Sequence, residues 1–506
     1  MALATLTKQH GPAGPAGDPG PVTGRGHPAP PVFDAAYPGY RATGVLDDLR
    51  TAEYGYLDAT GHAYLDYTGA GLAAQAQLSA HAARLRGRCF GNPHSENPAS
   101  AASTELIERT REAVRRHFNA PPEEYAVIFT PNASGACRLV GEAYPFGRGR
   151  RFVLTSDNHN SVHGIREFAR ARGAAVRYIP FGSPDLRVDD DAVTAALRPR
   201  RLGPARRGLF AFPAQSNFTG VQHELRWIDL ARERGYDVLL DAAAYVPANR
   251  LDLSALRPDF VPVSWYKVFG YPTGVGCLIA RREALARLRR PWFAGGTIAA
   301  VSVQGGWHAP AGGEAWFEDG TPSFLTIPDV AFGLSWINRV DADLVRERLS
   351  CLTGWLLDRL GGLRHGNGQP MARIHGPAGL RRRGGTVAFS LLDPRGVAFG
   401  VRAVERATAA AGISIRTGCF CNPGAAEAAL GLTRPDLAQA RRSGARTADE
   451  FAAAAGIPGG GAIRASVGLA SNVADVDRLL ALIEDTYRDQ PAPAVPGGPG
   501  SRARMT

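Results

Sequence analysis

The chain has 506 residues, 44% hydrophobic and 21% charged, which suits an ordinary globular protein with room for one large and one small lobe. No run approaches the roughly 18–20 apolar residues of a membrane span, and the opening MALATLTKQHGPAGPAGDPG lacks the apolar core of a secretory signal. The formal charge of +11 comes from arginines scattered among Ala, Gly and Pro, without a basic stripe or stacking motif, so nucleic-acid binding is not expected.

Residues 1–45 are rich in Gly, Pro and Ala and lack periodicity, which predicts a disordered tail. The four Gly-X-Y triplets from Gly11 to Val22 are too few to hold a collagen helix. From Tyr125 to Ala280, β-rich runs alternate with helical stretches: YAVIF (125–129), RFVLT (151–155), AVRYI (175–179), GLFAF (208–212), DVLLD (237–241), DFVPVS (259–264) and GCLIA (276–280). That alternation predicts a mainly parallel α/β sheet with helices on both faces, forming a large domain over residues 46–330. Beyond it, helix-rich sequence, a strand near 385–391, the loop RTGCFC (416–421) and a strand at 462–467 predict a smaller α+β domain over 331–487. Residues 488–506 read as a second loose tail.

In such sheets, ligands sit outside the carboxyl ends of the strands. The polar residues obey that rule: the runs end in TPNAS (130–134), SDNH (156–159), QSN (215–217), Asp241 and SWYK (264–267). Only two of the 58 basic residues are lysines, Lys8 in the tail and Lys267 at a strand end. An amine can lose its proton and attack a carbonyl, whereas a guanidinium stays protonated. A lone lysine at a strand end, with an aspartate closing the preceding strand, is the pair that pyridoxal phosphate (PLP) needs. The lysine forms the Schiff base, and the carboxylate keeps the pyridinium nitrogen protonated. Asp241 follows the apolar run VLL; the simpler role for it is a cap on the next helix. His159 could stack on the ring or merely cap a loop, and the Ala133-Ser134-Gly135 turn would offer N–H groups to a phosphate.

Six irregularly spaced cysteines (89, 137, 277, 351, 419 and 421) exclude a disulfide framework and point to a reducing cytoplasm. Cys419 and Cys421 form a Cys-x-Cys pair, but no second pair accompanies it, so no metal site is expected.

Eight ordered motifs carry a resemblance: GNPHS (91–95), SDNHNSVHGIREFA (156–169), PAQSNFTG (213–220), LLDAAAYVP (239–247), SWYKVFGYPTGVG (264–276), FEDGTPSFL (317–325), RTGCFCNPGA (416–425) and IRASVG (463–468). Over residues 50–485 the sequence resembles the class V, fold-type I PLP-dependent cysteine desulfurases, and among these the N-terminal domains of molybdenum cofactor sulfurases. The resemblance implies a seven-stranded fold-type I sheet with a smaller C-terminal domain. It implies that Lys267 holds PLP, Asp241 pairs with the ring nitrogen, His159 stacks on the ring and Asn217 contacts the ring hydroxyl. Ala133, Ser134 and Ser264 would hold the phosphate, and Thr321 would reach the phosphate of a partner subunit in a homodimer. Arg464 would grip the carboxylate of L-cysteine. Arg416, five residues before Cys421, could help supply the positive charge its thiolate needs and is a second candidate for substrate binding. Cys421 would take the sulfur as a persulfide, releasing L-alanine, and pass it to an acceptor protein or cofactor-binding partner. Tyr266 stands where many desulfurases have a histidine, and Ala244 where they have a glutamine. Full-length sulfurases continue into a β-rich acceptor domain, whereas this sequence ends at Thr506, so direct sulfuration of molybdenum cofactor would need a separate partner. The alternatives are a class V C–S lyase, aminotransferase or epimerase acting on another amino acid, or a scaffold that binds an acceptor without catalysis.

Overall fold

A computed structural model describes residues 30–182, 184–198 and 207–493. After the short strand β1 (Ala63–Tyr64), seven strands build the main sheet: β2 (Tyr125–Thr130), β3 (Arg151–Thr155), β4 (Ala175–Ile179), β5 (Gly208–Pro213), β6 (Tyr236–Asp241), β7 (Phe260–Ser264) and β8 (Gly276–Arg281). Their order is β2-β8-β7-β6-β5-β3-β4; β8 runs antiparallel to both neighbours and the other pairings are parallel.

Successive side chains on a strand point to opposite faces, and that alternation divides the apolar residues of this sheet into two cores. Val127, Phe129, Val153, Phe210, Phe212, Val238, Leu240, Val261 and Val263 face one helical layer. Ala126, Ile128, Phe152, Leu154, Leu209, Ala211, Leu239 and Phe260 face the other. Both faces are buried, which is why the strands read as nearly continuous apolar runs.

The chain next forms a two-stranded hairpin, β9 (Ile298–Ser302) and β10 (Trp307–Pro310). The smaller domain is built on β11 (Ala372–His375), β12 (Thr386–Leu391), β13 (Ile413–Ser414), β14 (Arg416–Gly418) and β15 (Ala462–Ser466). Four of these pair antiparallel in the order β11-β12-β15-β14. β13 pairs instead with β1, and Asp66 just beyond β1 bridges to Ser466. The N-terminal strand is thereby stitched to the small domain.

That stitching corrects the expected boundaries. The tail expected over residues 1–45 is helical from Pro31 to Ala36 and forms a 3-10 helix from Pro38 to Thr43. Phe33 and Tyr40 are buried in the core of the small domain, and the Phe33 ring meets Trp355 edge-on at 5.5 Å. Ala63 and Leu65 join the same core, so the segment before the large sheet packs largely with the small domain. The Gly11–Val22 triplets lie outside the described residues, as does the terminal segment from residue 494. Among the described residues no helix is long and apolar enough to cross a membrane.

Arg50 fastens this junction. Its Nη1 donates to Asp475 Oδ2 at 2.6 Å and to Ala470 O at 2.6 Å, while Nη2 reaches Asp58 at 2.8 Å. Arg50 and Asp475 are both buried, and Asp475 also caps the final helix, Val473–Tyr487, together with Asn472. Removing one partner of a buried pair leaves an uncompensated charge. Asp475→Ala is therefore expected to lower unfolding free energy by about 3 kcal/mol in urea titrations. A loss under about 1 kcal/mol, the scale of surface pairs, would contradict this role.

Candidate active site

The carboxyl ends of β3, β5, β6 and β7 and the helix Ala133–Ala143 after β2 enclose a cavity of about 170 Å³. It is lined by Ser134, His159, Asn217, Asp241, Ser264 and Lys267, with Ala133, Ser161, Gln215 and Tyr266 beside them. Seven of the eight residues that the resemblance assigns to the cofactor thus line one cavity.

β7 ends at Ser264 and runs directly into the short helix Trp265–Phe269, which presents Lys267 to the cavity. Burial pushes the Lys267 amine below its ordinary pKa, Asp241 pulls it back up, and Arg464 pushes it further down. Lowering that pKa favours the neutral, nucleophilic amine. Asp241 closes β6, and its Oδ1 accepts the Ala243 N–H at 3.0 Å. The simple capping contact and the cavity-lining position coexist in the same carboxylate.

His159 Nδ1 accepts the Ser161 N–H at 3.1 Å, which leaves the ring proton of the neutral form on Nε2. Burial and the charges of Lys267 and Arg464 hold His159 below the ordinary histidine pKa, so the ring is neutral near pH 7. Ser161 Oγ lies 2.6 Å from Ser134 Oγ, and Ser264 Oγ accepts the Ala133 N–H at 2.9 Å. Asn132 caps the helix by accepting the Gly135 N–H at 2.9 Å. Gly276 on β8 makes this close packing feasible: a Cβ there would fall 2.6 Å from Asn132 Cα and 2.5 Å from Val263 O. The result is a helix N-terminus ringed by three serine hydroxyls, a setting that suits a phosphate.

A second set of contacts ties the small domain to the cavity. Asn217 Nδ2 donates to Phe420 O at 2.8 Å, and Asn422 Nδ2 donates to Asn217 Oδ1 at 2.9 Å and to Asp157 O at 2.7 Å. Between these anchors lies Cys421, whose carbonyl accepts the Asn160 N–H at 2.7 Å. Cys419 and Cys421 are exposed; Phe420 and Cys421 both adopt left-handed backbone (φ 54° and 55°). Two consecutive non-glycine residues in that region are held there by tertiary contacts. Cys137, Cys277 and Cys351 are buried, with burial raising each thiol pKa.

Arg464 is buried on β15. Its Nη1 donates to Asn217 O at 3.0 Å, its Nη2 to Asp66 Oδ1 at 2.8 Å, and its guanidinium lies over the Phe420 ring at 4.8 Å. Arg416 donates its hydrogen bonds to Asp66 Oδ2, through Nη2 at 2.5 Å and Nε at 2.9 Å, and its charge also interacts with the Cys421 thiol. Thr321 lies elsewhere, in a cavity of about 340 Å³ bordered by Gly274, Trp292 and Phe317, where its Oγ1 accepts from Asn92 at 3.2 Å. Within one chain it is not among the residues lining the Lys267 cavity.

Two residues, Asp66 and Asn422, escaped the sequence reading. Asp66 lies two residues beyond β1, after the run Ala63-Tyr64-Leu65, a placement resembling that of Asp241 and the one signal that could have flagged it. Gln215, one of the polar residues expected at a strand end though given no role, borders Lys267 on two sides, lining this cavity and the adjoining space beside Thr68 and Thr386. Asn422 is fully buried, and its anchoring role depends on contacts with residues more than 200 positions away.

A family model described as "Aminotransferase class-V" matches residues 63–479. The chain belongs to the class-V aminotransferase family. Relatives include the molybdenum cofactor sulfurases of Solanum lycopersicum, 34% identical over 470 residues (87% of this chain, 57% of the relative), and of Homo sapiens, 34% identical over 464 residues (88% and 51%). The chain spans under three-fifths of the length of these curated relatives. Among solved structures, a cysteine desulfurase from Thermococcus onnurineus superposes with a TM-score of 0.71 at 23% identity, over 87% of this chain and 98% of that one. The cysteine desulfurase CsdA of Escherichia coli gives 0.67 at 21%, over 87% and 98%. These likenesses establish the fold-type I architecture.

The cofactor of a class-V aminotransferase is PLP, and the residues present fit it. The cavity offers a buried amine of lowered pKa, a carboxylate, a neutral imidazole and a serine-ringed helix start within one enclosure.

Proposed function

We propose that this chain is a PLP-dependent L-cysteine desulfurase that releases L-alanine and loads the sulfur onto Cys421 as a persulfide. The observation that carries this reading is the exposed Cys421 thiol, on a strained loop whose flanking residues are anchored to Asn217 of the PLP cavity. A lyase, aminotransferase or epimerase needs no protein thiol there.

Lys267 would hold the cofactor, Asp241 its ring nitrogen, His159 the ring face and Asn217 the ring hydroxyl; Ala133, Ser134 and Ser264 would take the phosphate. When bound, PLP supplies an electron sink conjugated to the substrate amino group. Arg464 grips the substrate carboxylate, for which its planar fork is suited. The neutral Lys267 Nζ takes the proton from the substrate Cα. Cys421, as thiolate, attacks the substrate sulfur: the new S–S bond forms as the substrate C–S bond breaks, and the carbon skeleton leaves as L-alanine after protonation. The persulfide then moves outward with its loop to an acceptor, a sulfur-carrying protein or a cofactor-binding partner, in the cytoplasm.

We also assign a homodimer. The β9–β10 hairpin exposes Val301, Val303 and Trp307, at 48%, 95% and 55%, and its His308 ring stacks at 6.3 Å on Trp316, the neighbour of Phe317 in the cavity that holds Thr321. A second copy seated there would cover this apolar surface and bring Thr321 to the phosphate end of its partner's site.

The scarcity of lysine gives a clean test. Borohydride added to the PLP-loaded protein should fix the cofactor on the peptide containing Lys267. Labelling of Lys8, or of neither lysine, would contradict the assignment.

A further inference from the structure

Arg464 is expected to receive the substrate carboxylate, yet its fork is engaged. Nη2 is on Asp66 Oδ1 and Nη1 on the Asn217 carbonyl, while the buried Nε has no partner. A bidentate carboxylate needs two adjacent N–H groups, so the open Nε must be joined by Nη2, the atom that Asp66 holds. Asp66 itself is not confined to Arg464. Its other oxygen, Oδ2, receives both Nη2 and Nε of Arg416, at 2.5 and 2.9 Å. The three side chains form one Arg–Asp–Arg set with an excess of one positive charge, enough to neutralise one incoming carboxylate. Gly69 reserves the space: a Cβ there would fall 2.6 Å from Asp66 Oδ2 and 2.7 Å from Arg416 Nη2.

We propose that Asp66 is an internal carboxylate that holds Arg464 until substrate arrives, and is then handed over to Arg416 as the substrate carboxylate takes Nε and Nη2 of Arg464. Asp66 is thus a positioning residue that sets selectivity for carboxylate-bearing ligands. Arg416 is the receiving site for Asp66 and does not contact the substrate. The inference rests on the reading of the cavity as an amino-acid site.

The hand-over has a signature that simple charge attraction lacks. Asp66→Asn removes the competitor and should tighten binding of L-alanine about 10-fold, within the coupling range of residues in one network. Arg416→Gln should weaken it by about as much, because Asp66 then stays on Arg464. In the Asp66→Asn background, however, Arg416→Gln should have almost no effect, since nothing remains to be handed over. Additive charge effects would give Arg416→Gln the same cost in both backgrounds.

Calorimetric titration of L-alanine and of L-alaninamide, which has no carboxylate, into the four PLP-loaded proteins tests this. The expected result is a non-additive cycle for L-alanine and no response of L-alaninamide affinity to either substitution. Equal Arg416→Gln effects in both backgrounds would overturn the proposal, as would weaker L-alanine binding in Asp66→Asn. Should Asp66→Asn fail to fold, Asp66→Ser takes its place in the same cycle: loss of the Arg416→Gln effect in that background supports the hand-over, and an undiminished effect refutes it. Failure of wild type to bind L-alanine at all would instead overturn the amino-acid reading beneath the proposal.

Discussion

Replacing Lys267 by alanine is expected to reduce release of alanine and sulfide from L-cysteine by ~10⁴-fold or more, since it removes both the cofactor attachment and the base for the Cα proton. The size of the effect follows from the cavity. Lys267 is the sole lysine in the chain beyond the N-terminal tail, so no neighbouring amine can substitute. Burial lowers its pKa, while Asp241 limits the fall, so the amine is poised to lose its proton. Lys267→Arg should be nearly as damaging, because the guanidinium stays protonated at any working pH. His159 Nδ1 is engaged by Ser161, and the ring is held neutral, so it is poorly placed to take over the proton transfer. Steady-state sulfide assays on purified variants check this; a Lys267→Ala protein retaining a tenth of wild-type turnover would refute the role.

The second large effect is expected from Cys421→Ala, which should bring persulfide formation below detection while leaving cofactor loading and L-cysteine binding intact. The separation arises because the two functions sit on different domains. Lys267, Asp241 and His159 belong to the large sheet and its connections, whereas Cys421 follows β14 of the small domain and reaches the cavity through Asn217 and Asn422. Cys419→Ala should stay within about twofold of wild type, because in the proposed mechanism the Cys421 thiol, two residues on, performs the attack. Mass spectrometry of the protein after one turnover would detect the added sulfur on the Cys421 peptide. Sulfur on Cys419 instead, or full turnover by Cys421→Ala, would contradict the mechanism.

Much of this arrangement was legible in the chain because its determinants are local. Strands β2, β3, β6 and β7 are largely apolar runs closed by Thr130, Thr155, Asp241 and Ser264, and the site of a parallel sheet gathers where such runs end. That rule places His159, Asn217, Asp241, Ser264 and Lys267 on one edge from the sequence alone. The errors came where long-range packing decides. Pro31–Thr43 looks featureless among Gly, Pro and Ala, yet Phe33 and Tyr40 find a core supplied by Trp355 and its neighbours more than 300 residues later. Arg416 reads as a charge for the thiol five residues away, and its charge does interact with Cys421; what the sequence hides is its hydrogen-bond partner Asp66, just beyond β1 at the opposite end of the chain. Asp66 itself gives no local sign of two arginines, because they arrive from β14 and β15 only when the small domain closes against β1. Thr321 faces a cavity of its own, and its expected role depends on a second copy that no single-chain pattern displays.

The most direct test of the account is the product balance of the wild-type protein given L-cysteine and a reductant. A desulfurase yields L-alanine and sulfide in equal amounts, with no keto acid, because the substrate's C–S bond is broken by a protein thiol and its amino group is retained. Equimolar alanine and sulfide, with one sulfur trapped on Cys421 when the reductant is omitted, is the predicted result. Pyruvate and ammonia accompanying the sulfide would mean elimination at the same PLP site without the thiol, and would contradict the central claim.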